Sequence, residues 1–373
     1  MRVLVLSAYH ADSHRSWLDG LMQHLPDIDW TILSLPPRYF SWRIRGNSLS
    51  WAMFNREILE RQYDVVLATS MTDLAALRGL VPKLCRWPTA VYFHENQFAY
   101  PQSQQQRKNV EPQILNMYTA LAADRVIFNS NYNRQTMLAG CDHLLAKLPD
   151  YAPRAEVAMQ LAQSIVLPVG VADTAAPPKT QRESDRLKLL WNHRWEYDKG
   201  PDRLLALLLE CDERGLALDI YLAGQQFRQR PKEFAEIEAL VINSECLALK
   251  QFGFVGSAEQ YHALLLICDV VLSTAIHDFQ GLAVLEAVAA GCVPLVPDRL
   301  CYPQWFSEKF RYTQSDDITQ EASSAASMLA QFLDSKASAK LPVADVSALT
   351  WPKIAPLYRE LLEQMVRGGH KRK

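Results

Sequence analysis

Short apolar runs, each followed by a stretch with helical spacing, recur along the whole chain and constrain the fold most. Runs that are apolar throughout, rather than alternating, form strands buried on both faces of a parallel sheet. In the first half they are Arg2–Tyr9, Trp30–Leu35, Asp64–Ser70, Thr89–Glu95, Arg125–Ser130 and Ser164–Val171. Asp12–Ser13 can cap the first helix, and further helices are predicted over 49–61, from Thr72, over 110–122 and from Tyr132. Residues 140–163 read as a helical insertion, 36–47 (PPRYFSWRIRGN) as a long loop, and 102–109 (QSQQQRKN) as a polar loop. The alternation stops at Ala172–Asp185, where Pro-Pro, small residues and charges show no periodicity.

It then restarts, with strands predicted at 187–192, 218–223, 250–255, 270–274 and Cys292–Pro297. The helices between them fall at 201–214, 231–246, 258–267, after Gly281 and near 319–335, and a last helix at 351–367 leads into the basic tail His370–Lys373. Two βα arrays imply an α/β chain of two doubly wound domains facing each other across a cleft. The expected boundaries are 1–171, a linker 172–186, 187–350, and a C-terminal helix and tail 351–373. Ligands of such sheets bind at the carboxyl ends of the strands.

At 373 residues, two domains are the default, and 49% apolar content is ample for their cores. A net charge of −2 argues against an overall electrostatic drive towards nucleic acid and leaves local basic patches open. Seven scattered cysteines without a C-x-x-C pair suggest reduced thiols in the cytoplasm. No apolar run approaches the ~20 residues of a membrane span, and MRVLVLSAYH has no cleavage-like segment, so neither membrane insertion nor secretion is expected.

Residues 270–291, VVLSTAIHDFQGLAVLEAVAAG, combine a strand, a glycine-bearing turn and a helix start. Free N–H groups at such a turn, here those of Gln280, Gly281 and Leu282, together with the helix dipole, attract an anion. Asp278 would face a transferred group, or cap the helix; Glu286 would accept from a ribose diol, or be a solvated residue, although it stands between Leu285 and Ala287. Arg194 and Lys199, in HRWEYDKG after the strand 187–192, suit a diphosphate leaving group. They could equally pair with Glu196 and Asp198 as surface salt bridges.

In the first domain, Tyr92–Asn96 ends a strand, where His94 could bond a sugar or move a proton; His14 sits near the first βα turn, and Asn96 beside His94. Arg38, Trp42, Arg43 and Arg45 interleave with Tyr39 and Phe40 in a loop able to stack on bases and hold phosphates, or to staple itself to its own domain. Lys371–Lys373 could touch phosphates. Asp27–Ile28–Asp29 matches a D-x-D metal pattern but lies in the wrong domain for the phosphate site.

These residues resemble a known family. DFQGLAVLEAVAAG is similar to the E-x(7)-E signature of retaining GT-B glycosyltransferases of family 4, with Asp278 and Glu286 at the acidic positions. HRWEYDKG falls where those enzymes carry their diphosphate-binding arginine and lysine. YFHENQFAYP (92–101), WNHRWEYDKGP (191–201), STAIHDFQGLAVLEAV (273–288) and SWRIRG look more narrowly like the tRNA-queuosine α-mannosyltransferase family, over nearly the whole chain.

The resemblance implies a GT-B fold with an acceptor-binding first domain and a nucleotide-sugar-binding second. It implies transfer of mannose from GDP-mannose to the cyclopentenediol of queuosine in tRNA, with retention and without a cofactor or metal. Arg194 and Lys199 would hold the diphosphate and Glu286 the ribose; Val255 would lie near the donor base, Asp278 near the sugar and His94 at the reacting centre. His14, Asn96 and the arginine-aromatic loop would serve the acceptor. Two departures stand out: Asp278 is shorter than the family's Glu, and His193 replaces the superfamily's usual Gly.

The alternatives are another acceptor, a GT-B sugar-nucleotide epimerase, or a non-enzymatic RNA-binding protein. A dehydrogenase is disfavoured because neither array opens with G-x-G-x-x-G.

Overall fold

The computed structural model describes residues 1–100, 109–174, 185–227 and 230–370. Most of the expected linker 172–186, nearly all of the polar loop 102–109 and the tail cations Lys371–Lys373 lie outside the described residues. The chain divides into two compact units, one of residues 171–350, the other of residues 1–170 with the last helix. Among the described residues no helix is long and apolar enough to cross a membrane.

The first unit holds six parallel strands: β1 (Arg2–Ser7), β2 (Asp29–Ser34), β3 (Val65–Thr69), β4 (Thr89–Phe93), β5 (Arg125–Phe128) and β6 (Ile165–Val166), in the order β2-β1-β3-β4-β5-β6. β3 and β4 are buried at every position, as two-sided strands must be. The second unit repeats the plan with β7 (Leu187–Trp191), β8 (Leu218–Ala223), β9 (Leu247–Gly253), β10 (Val270–Leu272), β11 (Val293–Pro297) and β12 (Arg311–Tyr312), ordered β12-β11-β10-β7-β8-β9. The order reverses between β1 and β3 in one sheet and between β7 and β10 in the other, and ligand crevices of such sheets open outside the carboxyl ends at these switch points.

Residues 36–47 are not a long loop: a helix runs from Phe40 to Phe54, entered through Tyr39 at φ 55°. Its inward positions Ile44, Asn47, Ser48 and Trp51 have helical spacing, but two are polar, which hides the period from hydropathy. Asn47 is buried because its amide donates to the Met71 carbonyl (3.2 Å) and accepts from the Asp73 N–H (3.0 Å). β6 is also shorter than expected. Leu167 N–H still donates to Phe128 O (2.9 Å), but Pro168 has no N–H with which to extend the ladder. The first helix, Asp12–His24, takes Ala11 rather than Asp12 or Ser13 as its N-cap, with Asp12 in its first turn.

The last helix, Trp351–His370, packs on the first unit. Tyr358 OH accepts from Trp17 Nε1 (3.0 Å) and donates to the Pro168 carbonyl (3.2 Å). Arg359 pairs with Asp27, so the first acid of the D-x-D pattern serves this packing.

Candidate active site

Both diphosphate-candidate segments emerge at the switch point of the second sheet, one after β7 and one after β10. Backbone bonds join them: Ile276 and His277 N–H donate to the Asp198 carbonyl (3.0 and 3.1 Å). Thr274 Oγ1 donates to the Lys199 carbonyl (2.8 Å) and accepts from Trp191 Nε1 (2.9 Å). Gly200 makes this approach possible. Its φ is +64°, and a Cβ there would stand 2.2 Å from the Thr274 carbonyl oxygen.

Lys199 is thereby buried with its charge aimed at the second segment. Nζ donates to the His277 carbonyl (2.8 Å) and lies 3.4 Å from Asp198 and 3.6 Å from Asp278. Arg194, half exposed, pairs with Glu196 (2.9 Å) and lies 4.0 Å from Asp198. The salt bridges left open by the sequence are therefore made, and three carboxylates hold the two cations in place.

Asp278 is the hub. Its Oδ1 accepts from the Gly281 N–H (3.0 Å) and its Oδ2 from Tyr302 OH (3.5 Å). Burial opposes its ionisation, but Lys199, His193 and the Gly281 amide outweigh burial and hold the carboxyl below its usual range. This corrects the expected three-amide cage: the Gly281 N–H is donated to Asp278, which caps the turn. Gly281 sits at φ +73° and Leu282 opens the helix Leu282–Ala289. The Gln280 carbonyl accepts from Trp305 Nε1 (3.0 Å). His193, in place of the superfamily Gly, is 4% exposed, and its Nε2 has no partner among the described residues; burial, then Lys199, pull its pKa down to about 4.

Glu286 is not a solvated residue. Tyr261 OH, 3.5 Å from Oε2, is its hydrogen-bond donor, and burial pushes its carboxyl up to about 7. Asn192 donates to Tyr261 OH (2.9 Å) and to the Ala283 carbonyl (2.8 Å), tying the end of β7 to this helix. The result is a half-buried carboxyl short of donors, which is what a ribose diol supplies. Val255 is half-buried just past β9. Sequence reasoning missed Asn192, Tyr261 and Tyr302. Asn192, the residue after β7, had a positional signal; the two tyrosines had none.

In the first unit, His94 follows β4 and is buried. Its ring stacks on His14 (4.0 Å between centroids) and meets Trp17 and Tyr92 edge-on (4.9 and 4.7 Å). Nε2 has no partner among the described residues, and burial, then His14 and His10, keep the ring neutral by drawing its pKa well below the usual value. His14 Nε2 lies 3.3 Å from Glu95 Oε2. The structure thus brings His14, His94 and Glu95 together.

Asn96 does not join them. It is fully buried, donating to Asn133 and Thr136 and accepting from Phe98 and Ala99 N–H (2.9 and 3.0 Å), so it has no group left for an acceptor. Arg45 pairs with Asp73 (3.1 Å) and Glu111 (3.0 Å). Arg38 lies over the Tyr39 ring (5.7 Å), Arg43 is half-buried and Trp42 is 54% exposed. All but Arg38 stand on the helix Phe40–Phe54 rather than on a loop.

Two parallel six-stranded units with paired cations and carboxylates at a switch point are the architecture of a GT-B glycosyltransferase. Solved structures share the fold at low identity. The Anabaena protein HepE in complex with UDP-glucose matches at TM-score 0.61 and 13% identity, covering 98% of this chain and all of that one. A Rickettsia africae glycosyltransferase matches at TM-score 0.62 and 13% identity, with 98% of each chain covered.

Residues 2–171 match the family model described as tRNA-queuosine alpha-mannosyltransferase N-terminal, and 173–335 that of glycosyl transferases group 1. A Drosophila melanogaster tRNA-queuosine alpha-mannosyltransferase is 30% identical over 328 residues, covering 86% of this chain and 85% of that one. The chain belongs to the tRNA-queuosine alpha-mannosyltransferase family, and it is a hexosyltransferase.

Proposed function

We propose that the protein transfers mannose from GDP-mannose to the cyclopentenediol of queuosine in tRNA, with retention of anomeric configuration. The observation that carries this reading is Lys199, buried between Asp198 and Asp278 where the β7 and β10 segments meet, with Arg194 beside it. A diphosphate entering there competes with those carboxylates for the two cations, which then neutralise the charge developing on the leaving group. Glu286 accepts from the ribose hydroxyls. Asp278 stays ionised, fixes Lys199 and the Gly281 turn, and so sets the cation that faces the departing diphosphate beside the sugar.

The bond between the anomeric carbon and the diphosphate oxygen breaks, and the acceptor oxygen bonds to that carbon from the same face. The hydroxyl proton passes to the departing phosphate. His94, neutral and with a spare ring nitrogen, orients a hydroxyl at the reacting centre. The mannose, guanine and queuosine assignments rest on the family; the residues argue for a nucleoside diphosphate sugar.

The test is incubation with labelled GDP-mannose and tRNA with or without queuosine. Label only on queuosine-containing tRNA supports the reading. Absence of label with that tRNA, or a thermal shift with UDP and none with GDP, overturns it.

A further inference from the structure

The first unit carries a cavity on the edge of its sheet opposite His94. It has a volume of about 610 Å³, inside the range of roughly 300–1,000 Å³ typical of ligand sites. Pro88 and Asp124, immediately before β4 and β5, line it together with the last turns of the helix Trp351–His370. β4 separates it from His94. Five residues at ~3.3 Å each put it roughly 15 Å away along the strand.

The lining is cationic and partly aromatic. Arg78, Arg86 and Arg125 surround it, and Asp124 is the sole acid among the described lining residues. That acid is committed, because Oδ2 accepts from the Thr89 N–H (2.8 Å) and faces Arg78 at 4.0 Å. Arg78 is itself fixed on the Ala122 carbonyl. The side chains of Arg86 and Arg125, both exposed, have no hydrogen-bond or ion-pair partner among the described residues. Trp87, Pro88 and Met365 add apolar surface. Gly368 lines the cavity, and a Cβ on it would meet nothing within 4 Å.

Two uncommitted guanidiniums suit a nucleotide's phosphate, and Pro88 with the exposed edge of the otherwise buried Trp87 gives an apolar wall for its base. The last-turn carbonyls of the helix Trp351–His370, with their partial negative charge, suit the hydroxyls of a ribose rather than a second phosphate. We infer that this cavity is a second RNA-binding site, taking one nucleotide of the tRNA acceptor at a point remote from the base that is glycosylated. The inference rests on the tRNA reading above and adds to it a contact that no small acceptor could make from the reacting centre. It also answers the net charge of −2, since the RNA-binding charge is local.

The test uses the full chain and three proteins: wild type, the double variant Arg86→Glu/Arg125→Glu, and Gly368→Glu, which places a carboxylate at the cavity in open space. Filter binding of tRNA is measured from low to moderate salt, with GDP binding as the control for an intact second unit. Cys85 is the one exposed cysteine among those described and lines the cavity, so its alkylation rate reports occupancy directly. Expected are at least tenfold weaker tRNA binding by both variants, unchanged GDP binding, and a salt slope shallower by about 0.8 in the double variant, from one lost phosphate contact. tRNA should slow Cys85 alkylation in the wild type.

Wild-type affinity in both variants with Cys85 unprotected overturns this inference and leaves the transferase reading standing. A wild-type chain that does not bind tRNA overturns both. Equal protection of Cys85 by GMP alone, or by polyglutamate, overturns the RNA assignment in favour of a free nucleotide or an acidic protein segment.

Discussion

Replacing Glu286 with Gln gives the most quantitative test of the second unit. The carboxyl is pushed up to about 7 by burial, with one long hydrogen bond from Tyr261 against it. Moving it there from its ordinary value of 4.5 costs the ionised form roughly 3 kcal/mol. Below about pH 4 the group is protonated in both the folded and unfolded chain and contributes nothing. From there to about pH 7 the unfolded chain releases the proton and the folded chain keeps it, so stability falls as pH rises. Above 7 the penalty is complete. Glu286→Gln removes it, so the nucleotide-free variant should gain nothing at pH 4 and up to about 3 kcal/mol at pH 8, read from denaturant unfolding across that range. Nucleotide binding shows the opposite sign. Ribose hydroxyls donating to the carboxylate pull its pKa back down, so wild-type GDP affinity should improve by up to about tenfold per pH unit between 5 and 7 and then level off. The Gln variant should bind more weakly and without that slope. A stability gain independent of pH, or GDP affinity in the wild type flat from pH 5 to 8, would refute both the buried-carboxyl argument and the ribose role.

Arg194→Ala and Lys199→Ala should each lower transfer by at least about 100-fold while the chain still unfolds cooperatively; near-normal turnover in both would remove the diphosphate role. Gly281→Ala puts a Cβ 2.9 Å from the Tyr302 ring at φ +73°, and should cost about 2 kcal/mol of stability in thermal unfolding and weaken GDP binding with it. Asn96→Ala strips a fully buried amide from partners on two segments and should destabilise the first unit by about 3 kcal/mol. A variant with wild-type stability but a raised KM for the acceptor would instead restore Asn96 to the acceptor site.

The strands were legible because a two-sided strand needs an unbroken apolar run, and Val65–Thr69 and Thr89–Phe93 are such runs. The meeting of HRWEYDKG with the 270–291 segment was legible because parallel βα units collect strand ends on one edge. The helix Phe40–Phe54 was not, because Asn47 and Ser48 occupy its inward face and their hydrogen bonds belong to the tertiary structure. The allegiance of the last helix was equally hidden. Its amphipathic pattern says that one face is covered, and only Trp17 and Tyr358, 341 positions apart, say by what. At Asp278 the chemistry itself was ambiguous, since a carboxylate three residues before a helix-opening glycine can cap the turn or face a sugar. The structure shows the cap made, with Oδ2 turned to Tyr302 and Lys199.

The return of the last helix also sets an order of assembly. Trp17, on the first helix, and Tyr92, on β4, are made before the second unit, yet their cover, Tyr358, is made only after it. At ~5–20 residues per second, the ribosome needs roughly 10–35 s to make the intervening residues 171–350. For that interval the first unit emerges with an aromatic face bare to water, while the second can complete itself. A nascent chain stalled before Trp351 should therefore expose hydrophobic surface to a dye or a chaperone until the final helix arrives. Maturation of the first unit therefore waits until the second unit has been made.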